Sequence, residues 1–159
     1  MSTRVGIGYD SHRLSPDRRL ILGGVEIPGE LGLEGHSDAD VLTHAVIDAL
    51  LGAAGLGDIG EHFPDTDERY RDADSLVLLA SVVATVAAGG LRIENVDCTV
   101  VMEQPKLGPH REQIRGLLAE VLGLDAGRMN VKATTGEGIG FVGRGEGVAA
   151  LAVASLATD

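Results

Sequence analysis

Residues 36–55, HSDADVLTHAVIDALLGAAG, constrain the fold more than any other stretch. Val41, Leu42, Ala45 and Ala49 recur at helical spacing, Ser37 or Asp38 can cap the start, early acids suit the helix dipole, and Gly52 or Gly55 can end it. A helix with such an apolar face needs a partner layer, and the runs around it supply one. Residues 3–9 and 20–27 (LILGGVEI) read as strands, the second with a bend or bulge at Gly23-Gly24. Residues 75–88 form a second helix, capped by Asp74 and stopped by Gly89-Gly90. LRIENVDCTVVMEQ reads as one long strand, a third helix begins near Pro109, and MNVKATT is another strand. The last run, GVAALAVASLAT, fits either period, with Val148 and Val153 favouring a strand. Strands and helices mix without strict βαβ repetition. The expected fold class is α+β: a single domain over residues 1–159, with a mixed sheet covered on one face by helices.

A formal charge of -11 and only 3% aromatic residues exclude a backbone-tracking nucleic-acid binder, which needs a basic surface and stacking rings. An anionic ligand must therefore meet local positive charge from metal ions, a few basic side chains or backbone N–H groups. The sequence has no apolar run of membrane-spanning length and no signal-peptide pattern at its start, so no membrane partner and a soluble, cytoplasmic protein are expected. The single cysteine, Cys98, lies in an apolar run and reads as a small core residue.

The candidate chemistry begins in VGIGYDSH. In a strand, Asp10 and His12 point to the same face and can share a metal ion. His44, on the first helix with Asp40 and Asp48 at i, i+4, i+8, is the natural third ligand. Two histidines and one carboxylate with an open position suit a catalytic zinc, although Fe²⁺ accepts the same set. Asp48 or Asp40 could orient the imidazole. The alternative is that Asp10 caps a loop, His12 is solvated and His44 fills a helix surface. His36 and Ser37, just before the helix, are placed either to touch a phosphate or simply to cap. The loop FPDTD, with Asp65, Thr66 and Asp67, is by itself an Asx-type turn. In ATTGEGIGFVGRGEG, Thr134 and Thr135 offer hydroxyls, the glycines let N–H groups approach a ligand, and Arg144 can grip phosphate. The match Gly138-x-Gly140-x-x-Gly143 would suit a nicotinamide-dependent oxidoreductase, but that fingerprint needs a following helix and a distant acid.

Taken together, GYDSH, HSDADVLTHAVIDALLGAAGLGDIGEHFPDTD, EQPKLGPH and VKATTGEGIGFVGRGEG resemble the 2-C-methyl-D-erythritol 2,4-cyclodiphosphate synthase family, in order and over nearly the whole chain. The resemblance implies a homotrimeric α+β enzyme with active sites at subunit interfaces. It implies a metal-dependent lyase of the non-mevalonate isoprenoid pathway, in which 4-diphosphocytidyl-2-C-methyl-D-erythritol 2-phosphate cyclises and releases CMP. It also implies roles residue by residue. Asp10, His12 and His44 would hold one Zn²⁺ per chain, and Glu137 would help hold Mg²⁺ or Mn²⁺ on the substrate diphosphate. His36 and Thr135 would be catalytic. Ser37, Asp58, Ile59, Gly60, Phe63, Pro64, Asp65, Thr66 and Asp67 would bind the methylerythritol phosphate, and Asp10, His12 and His36 would also contact substrate. Met102, Glu103, Gln104, Pro105, Lys106, Leu107 and Gly108 would hold the CMP end, and Thr134, Thr135, Gly136, Glu137, Phe141 and Arg144 would also contact substrate. Near Arg144 and Glu146 the trimer would enclose a cavity able to take an isoprenoid diphosphate. The chain departs from the family at Gly136, usually a hydroxyl residue, and at Gly138-Ile139, often Lys-Leu.

Overall fold

In the computed structural model, which describes residues 2–158, the chain runs β1 (Thr3–Ser15), β2 (Leu20–Leu22), β3 (Val25–Ile27), β4 (Gly32–Leu33), α1 (Val41–Ala54), α2 (Ile59–His62), α3 (Ser75–Ala88), β5 (Leu91–Val101), α4 (Arg111–Leu122), β6 (Met129–Thr134), α5 (Gly140–Gly143) and β7 (Gly147–Thr158). Five strands form one sheet in the order β4-β1-β7-β5-β6. Only β5 and β6 pair in parallel, and α4 lies in the crossover between them. The sheet is mixed and the class is α+β, as expected. The final run is a strand, and β1 continues six residues past the expected end at 9, to Ser15.

Two local expectations are corrected. Residues 20–27 are not one bent strand but a hairpin, β2 and β3, reversed at Gly23-Gly24 with φ of 58° and 78°. Successive positive φ values make the kind of turn whose twist suits a two-residue hairpin. The cap of α1 is neither Ser37 nor Asp38 but Asp40, whose carboxylate accepts from Thr43 N at 3.0 Å and from the N–H groups of Gly23 and Gly24 at 2.9 and 2.8 Å. Asp40 is fully buried, which raises its pKa, while the same N–H donors oppose that rise. One buried carboxylate thus fastens the hairpin to the helix start. At the far end Gly55 closes α1 in the left-handed conformation. Asp74 caps α3 as expected, accepting from Leu76 N at 2.9 Å.

The helices α1, α3 and α4 cover one face. From Val5 to Leu14 the residues of β1 alternate: Gly6 and Gly8 lie buried against α1, whereas Val5, Ile7 and Tyr9 on the opposite face are 65%, 69% and 54% exposed. A Cβ at Gly8 would overlap the Ala45 carbonyl oxygen, and one at Gly6 the Ala49 carbonyl oxygen. Backbone therefore packs on backbone, and α1 lies close enough to β1 for side chains of both to meet just beyond, at residues 10, 12 and 44. Gly8→Ala should destabilise the fold by about 3 kcal/mol, the upper part of the usual overpacking range, because the obstructing atom is main chain and cannot rotate away. Denaturant unfolding measures this, and a loss below about 1 kcal/mol would show that the helix can retreat at little cost.

Cys98 is buried, and burial pushes its thiol up to about 12, so it is a core residue as expected. No helix among the described residues is long and apolar enough to cross a membrane.

Candidate metal centre and adjoining cavity

Asp10 and His12 follow Gly6 and Gly8 on the helix-facing side of β1, and His44 reaches them from one turn inside α1. Asp10 Oδ2 lies 2.9 Å from His12 Nε2 and 3.0 Å from His44 Nδ1, and the two nitrogens are 3.4 Å apart. Three ligands about 2.0 Å from one tetrahedral ion would be separated by roughly 3.3 Å, so the triangle has the size of a shared coordination sphere. His12 Nδ1 donates to the Glu34 carbonyl at 2.7 Å, which leaves Nε2 of the neutral ring as a lone pair aimed at the carboxylate. Two acceptors facing each other call for a cation between them. Burial lowers the His12 pKa, but its hydrogen bond and Coulomb attraction to Asp10 outweigh burial and raise it. Burial likewise raises Asp10, but both imidazoles oppose it and hold the carboxyl at about 2. The donors fit a divalent metal, and they form the one such cluster found among the described residues.

The cluster opens onto a cavity of about 420 Å³ lined by Asp10, His12, Gly35, His36, Ser37, His44, Ile59, Gly60, Phe63, Pro64, Asp65, Tyr70 and Leu78. Ten of these were expected at the site. Gly35, Tyr70 and Leu78 were not: Tyr70 meets Phe63 edge to face at 5.3 Å between centroids, a contact with no sequence periodicity to betray it. His36 is five residues ahead of α1. Its Nε2 donates to the Asp67 carbonyl at 2.9 Å. Arg18 holds the same loop from behind, donating to the carbonyls of Gly35 and Ser37 at 3.1 and 2.8 Å.

Asp58, Thr66 and Asp67 do not line the cavity. Asp58 caps α2 through Glu61 N at 3.0 Å, and Asp67 turns back to Arg69, whose hydrogen bonds hold its carboxyl low. Neither Asp40 nor Asp48 orients His44. Asp40 is the cap already described, and Asp48 accepts from Ile59 N at 2.9 Å, anchoring the loop that begins α2. The second nitrogen of His44 instead meets Ser75 Oγ at 2.8 Å and Ser37 Oγ at 3.2 Å. The serine at the start of α3 was not among the expected site residues.

The remaining candidates gather elsewhere on the sheet. Met102 N donates to the Thr134 carbonyl at 2.9 Å, Glu103 accepts from Gly136 N, and Thr135 Oγ accepts from Glu137 N at 3.1 Å. Lys106 is exposed, whereas Met102 and Leu107 are buried and offer only main chain. Gly136 cannot carry the family's usual side chain in this loop, since a Cβ would lie 2.7 Å from Gly143 N. Nor does its N–H replace the lost hydroxyl towards a phosphate, because Glu103 already occupies it. Arg144 shares a depression of about 300 Å³ with Glu103 and Gln104, and pairs with Glu146 at 2.9 Å. Phe141 lies behind His12, against Gly147. The fingerprint glycines lead into the four-residue α5 and then antiparallel β7, which is no dinucleotide fold. Across the sheet, Ser11 pairs with Ala149, Ala149 with Val101, and Val101 with Thr134. The metal cluster and the Thr134 end of the same chain are therefore separated by three strand spacings, about 14 Å.

Residues 3–157 match the YgbB family. A 2-C-methyl-D-erythritol 2,4-cyclodiphosphate synthase of Alkaliphilus oremlandii is 59% identical over 96% of this chain and 98% of its own. The solved bifunctional IspDF of Campylobacter jejuni superposes with a TM-score of 0.94 at 44% identity, over 98% of this chain but only 42% of that longer one. A 2C-methyl-D-erythritol-2,4-cyclodiphosphate synthase in its CDP-bound form gives a TM-score of 0.89 at 41% identity, over 97% of this chain and all of the other.

Proposed function

The chain belongs to the YgbB family, and on that premise we propose that it is a 2-C-methyl-D-erythritol 2,4-cyclodiphosphate synthase. It converts 4-diphosphocytidyl-2-C-methyl-D-erythritol 2-phosphate to the cyclodiphosphate with release of CMP, in the non-mevalonate route to isoprenoid precursors. The observation that carries this reading is the convergence of Asp10, His12 and His44 at the mouth of a cavity sized for a small phosphorylated polyol.

The reaction is a cyclising phosphorus-oxygen lyase step. An oxygen of the 2-phosphate bonds to the diphosphate phosphorus next to the erythritol, and the bond from that phosphorus to the bridging oxygen breaks. CMP leaves with that oxygen. Nucleophile and electrophile belong to one molecule, so the protein has to fold the substrate and offset charge on the transferring group. Asp10, His12 and His44 would hold Zn²⁺ and Glu137 would help hold Mg²⁺ or Mn²⁺, and such ions would supply the positive charge that phosphate oxygens need against the protein's net negative charge.

His36 is held by its bond to the Asp67 carbonyl and Ser37 by the Arg18 clamp, so both face the cavity in fixed positions. The apolar wall of Ile59, Phe63 and Pro64 suits the methyl-bearing carbon chain and excludes water that would compete as nucleophile. Lys106 would meet phosphate at the CMP end, with main-chain groups of residues 102–108 reading cytosine. A relative solved with CDP supports a cytidine nucleotide as ligand.

The chain works as a homotrimer. Two observations support this: the 14 Å between cluster and Thr134 end within one chain, which a neighbouring copy can close, and the open apolar face of Val5, Ile7, Tyr9, Leu151 and Val153. That face is also where a central cavity could take an isoprenoid diphosphate, with Arg144 and Glu146 nearby. A cytoplasmic setting fits a substrate of this charge.

Kinetics of CMP release test the division of labour. Lys106 would contact phosphate in ground and transition states alike, so Lys106→Ala is expected mainly to raise KM. Thr135→Ala is expected mainly to lower kcat, by up to about 10²-fold, through loss of a donor aimed at developing charge. If Thr135→Ala keeps kcat and loses only melting temperature, Thr135 merely finishes β6.

A further inference from the structure

Behind the metal cluster lies a chain of hydrogen bonds that none of the assigned roles uses. Ser75, at the start of α3, is fully buried, and its Oγ donates to a carboxylate oxygen of Asp38. The other Asp38 oxygen accepts from Ser75 N at 2.9 Å, so the pair is locked by two bonds. A serine hydroxyl has one proton, and Asp38 takes it. The bond of 2.8 Å between Ser75 Oγ and His44 Nε2 must then run the other way, with Nε2–H donating. That fixes the tautomer: Nδ1 carries the lone pair, and Nδ1 is the atom beside Asp10 and His12. Asp38 itself is steadied by Asp40 N at 3.1 Å and by its own N–H on the Ala73 carbonyl at 3.1 Å, so the relay rests on α1 and α3 together.

We propose that Ser75, backed by Asp38, is a positioning residue of the metal centre, holding His44 with Nδ1 unprotonated and aimed at the ion, and so setting how tightly the ion is held. The proposal rests on the metal reading of Asp10, His12 and His44. Outer hydrogen bonds of this kind typically change metal affinity by 10–100-fold when removed. Ser37 Oγ stands 3.2 Å from the same nitrogen and is already engaged by Ala39 N, so it substitutes only in part.

The test is competition for Zn²⁺ against a chromophoric chelator, using the full-length chain and its Ser75→Ala and Asp38→Asn variants, with melting curves of each before and after adding Zn²⁺. Ser75→Ala should weaken Zn²⁺ by about tenfold or more. Asp38→Asn keeps the shape but can donate to Ser75 Oγ and turn the relay round, putting the proton on Nδ1, so it should weaken Zn²⁺ at least as much. In both variants the rise in melting temperature on adding Zn²⁺ should shrink. A purely structural Ser75 would lower the melting temperature of the stripped protein and leave the Zn²⁺-induced rise unchanged, which overturns the proposal, as would affinities within twofold of the unaltered chain. Should Ser75→Ala not fold, Asp38→Asn decides alone. If the unaltered chain binds no Zn²⁺, or binds it equally well without His44, the metal reading falls and the relay with it. A stoichiometric unaltered chain with unaffected variants overturns the relay alone.

Discussion

His44→Ala protein should fold, bind no Zn²⁺ at the cluster, and release CMP at least about 10³-fold more slowly than the unaltered enzyme. A metal acting on a phosphoryl oxygen contributes several kcal/mol to the transition state, and each 1.36 kcal/mol is tenfold in rate. The fold should survive because the Asp40 clamp that fastens the hairpin to α1 and the Gly6 and Gly8 packing that holds α1 to β1 do not involve the His44 side chain. The same centre should be acid-sensitive. Metal and proton compete for His12 Nε2, and Asp10 raises the affinity of that nitrogen for a proton, so zinc should be released as pH falls through the raised His12 value. Elemental analysis across a pH series with CMP release alongside checks both. Full metal content and full activity in His44→Ala would remove the triad from the account.

The second large effect is expected on the opposite face of the sheet. Ile7 and Val153 are cross-strand partners, 69% and 42% exposed in the single chain, and both point away from the helices. The double substitution Ile7→Glu with Val153→Glu should leave the secondary structure of the chain intact and abolish the proposed trimer. Each added carboxylate would have to lose its water at the subunit contact, at several kcal/mol per charge. With the proposed assembly gone, the Thr134 end of a neighbour would no longer reach the cluster, and CMP release should fall to background. Light scattering and the rate together decide this. A monomer with full activity would place the whole active site within one chain.

The sequence revealed the fold better than it revealed the contacts that build the site. Periodicity located α1 and alternation located β5, because burial of one face leaves a repeating trace, whereas α3 was marked by its cap and glycine stop and β7 only by the β-branched Val148 and Val153. The hairpin at residues 20–27 was missed because LILGGVEI is apolar on both sides of its glycines, and only the positive φ of Gly23 and Gly24 distinguishes a reversal from a bulge. Asp10 and His12 were visible through strand geometry, and His44 through helical spacing. Ser75 was invisible for a different reason. It lies 31 residues from His44, and nothing local in ADSLV separates a serine that opens a helix from one that bonds an imidazole. Asp40 misled in the opposite sense: its i, i+4 relation to His44 suggested a shared face, but a capping residue turns its side chain back to the helix N–H groups.

The protein is expected to close a ring rather than hydrolyse a diphosphate, and ³¹P NMR of its reaction with 4-diphosphocytidyl-2-C-methyl-D-erythritol 2-phosphate in the presence of Zn²⁺ and Mg²⁺ tells the two apart. The expected result is CMP and the cyclic diphosphate appearing in equal amounts, with no linear bisphosphate and no inorganic phosphate. Release of CMP with the linear methylerythritol bisphosphate, which marks attack by water, or no turnover by the metal-loaded protein, would contradict it.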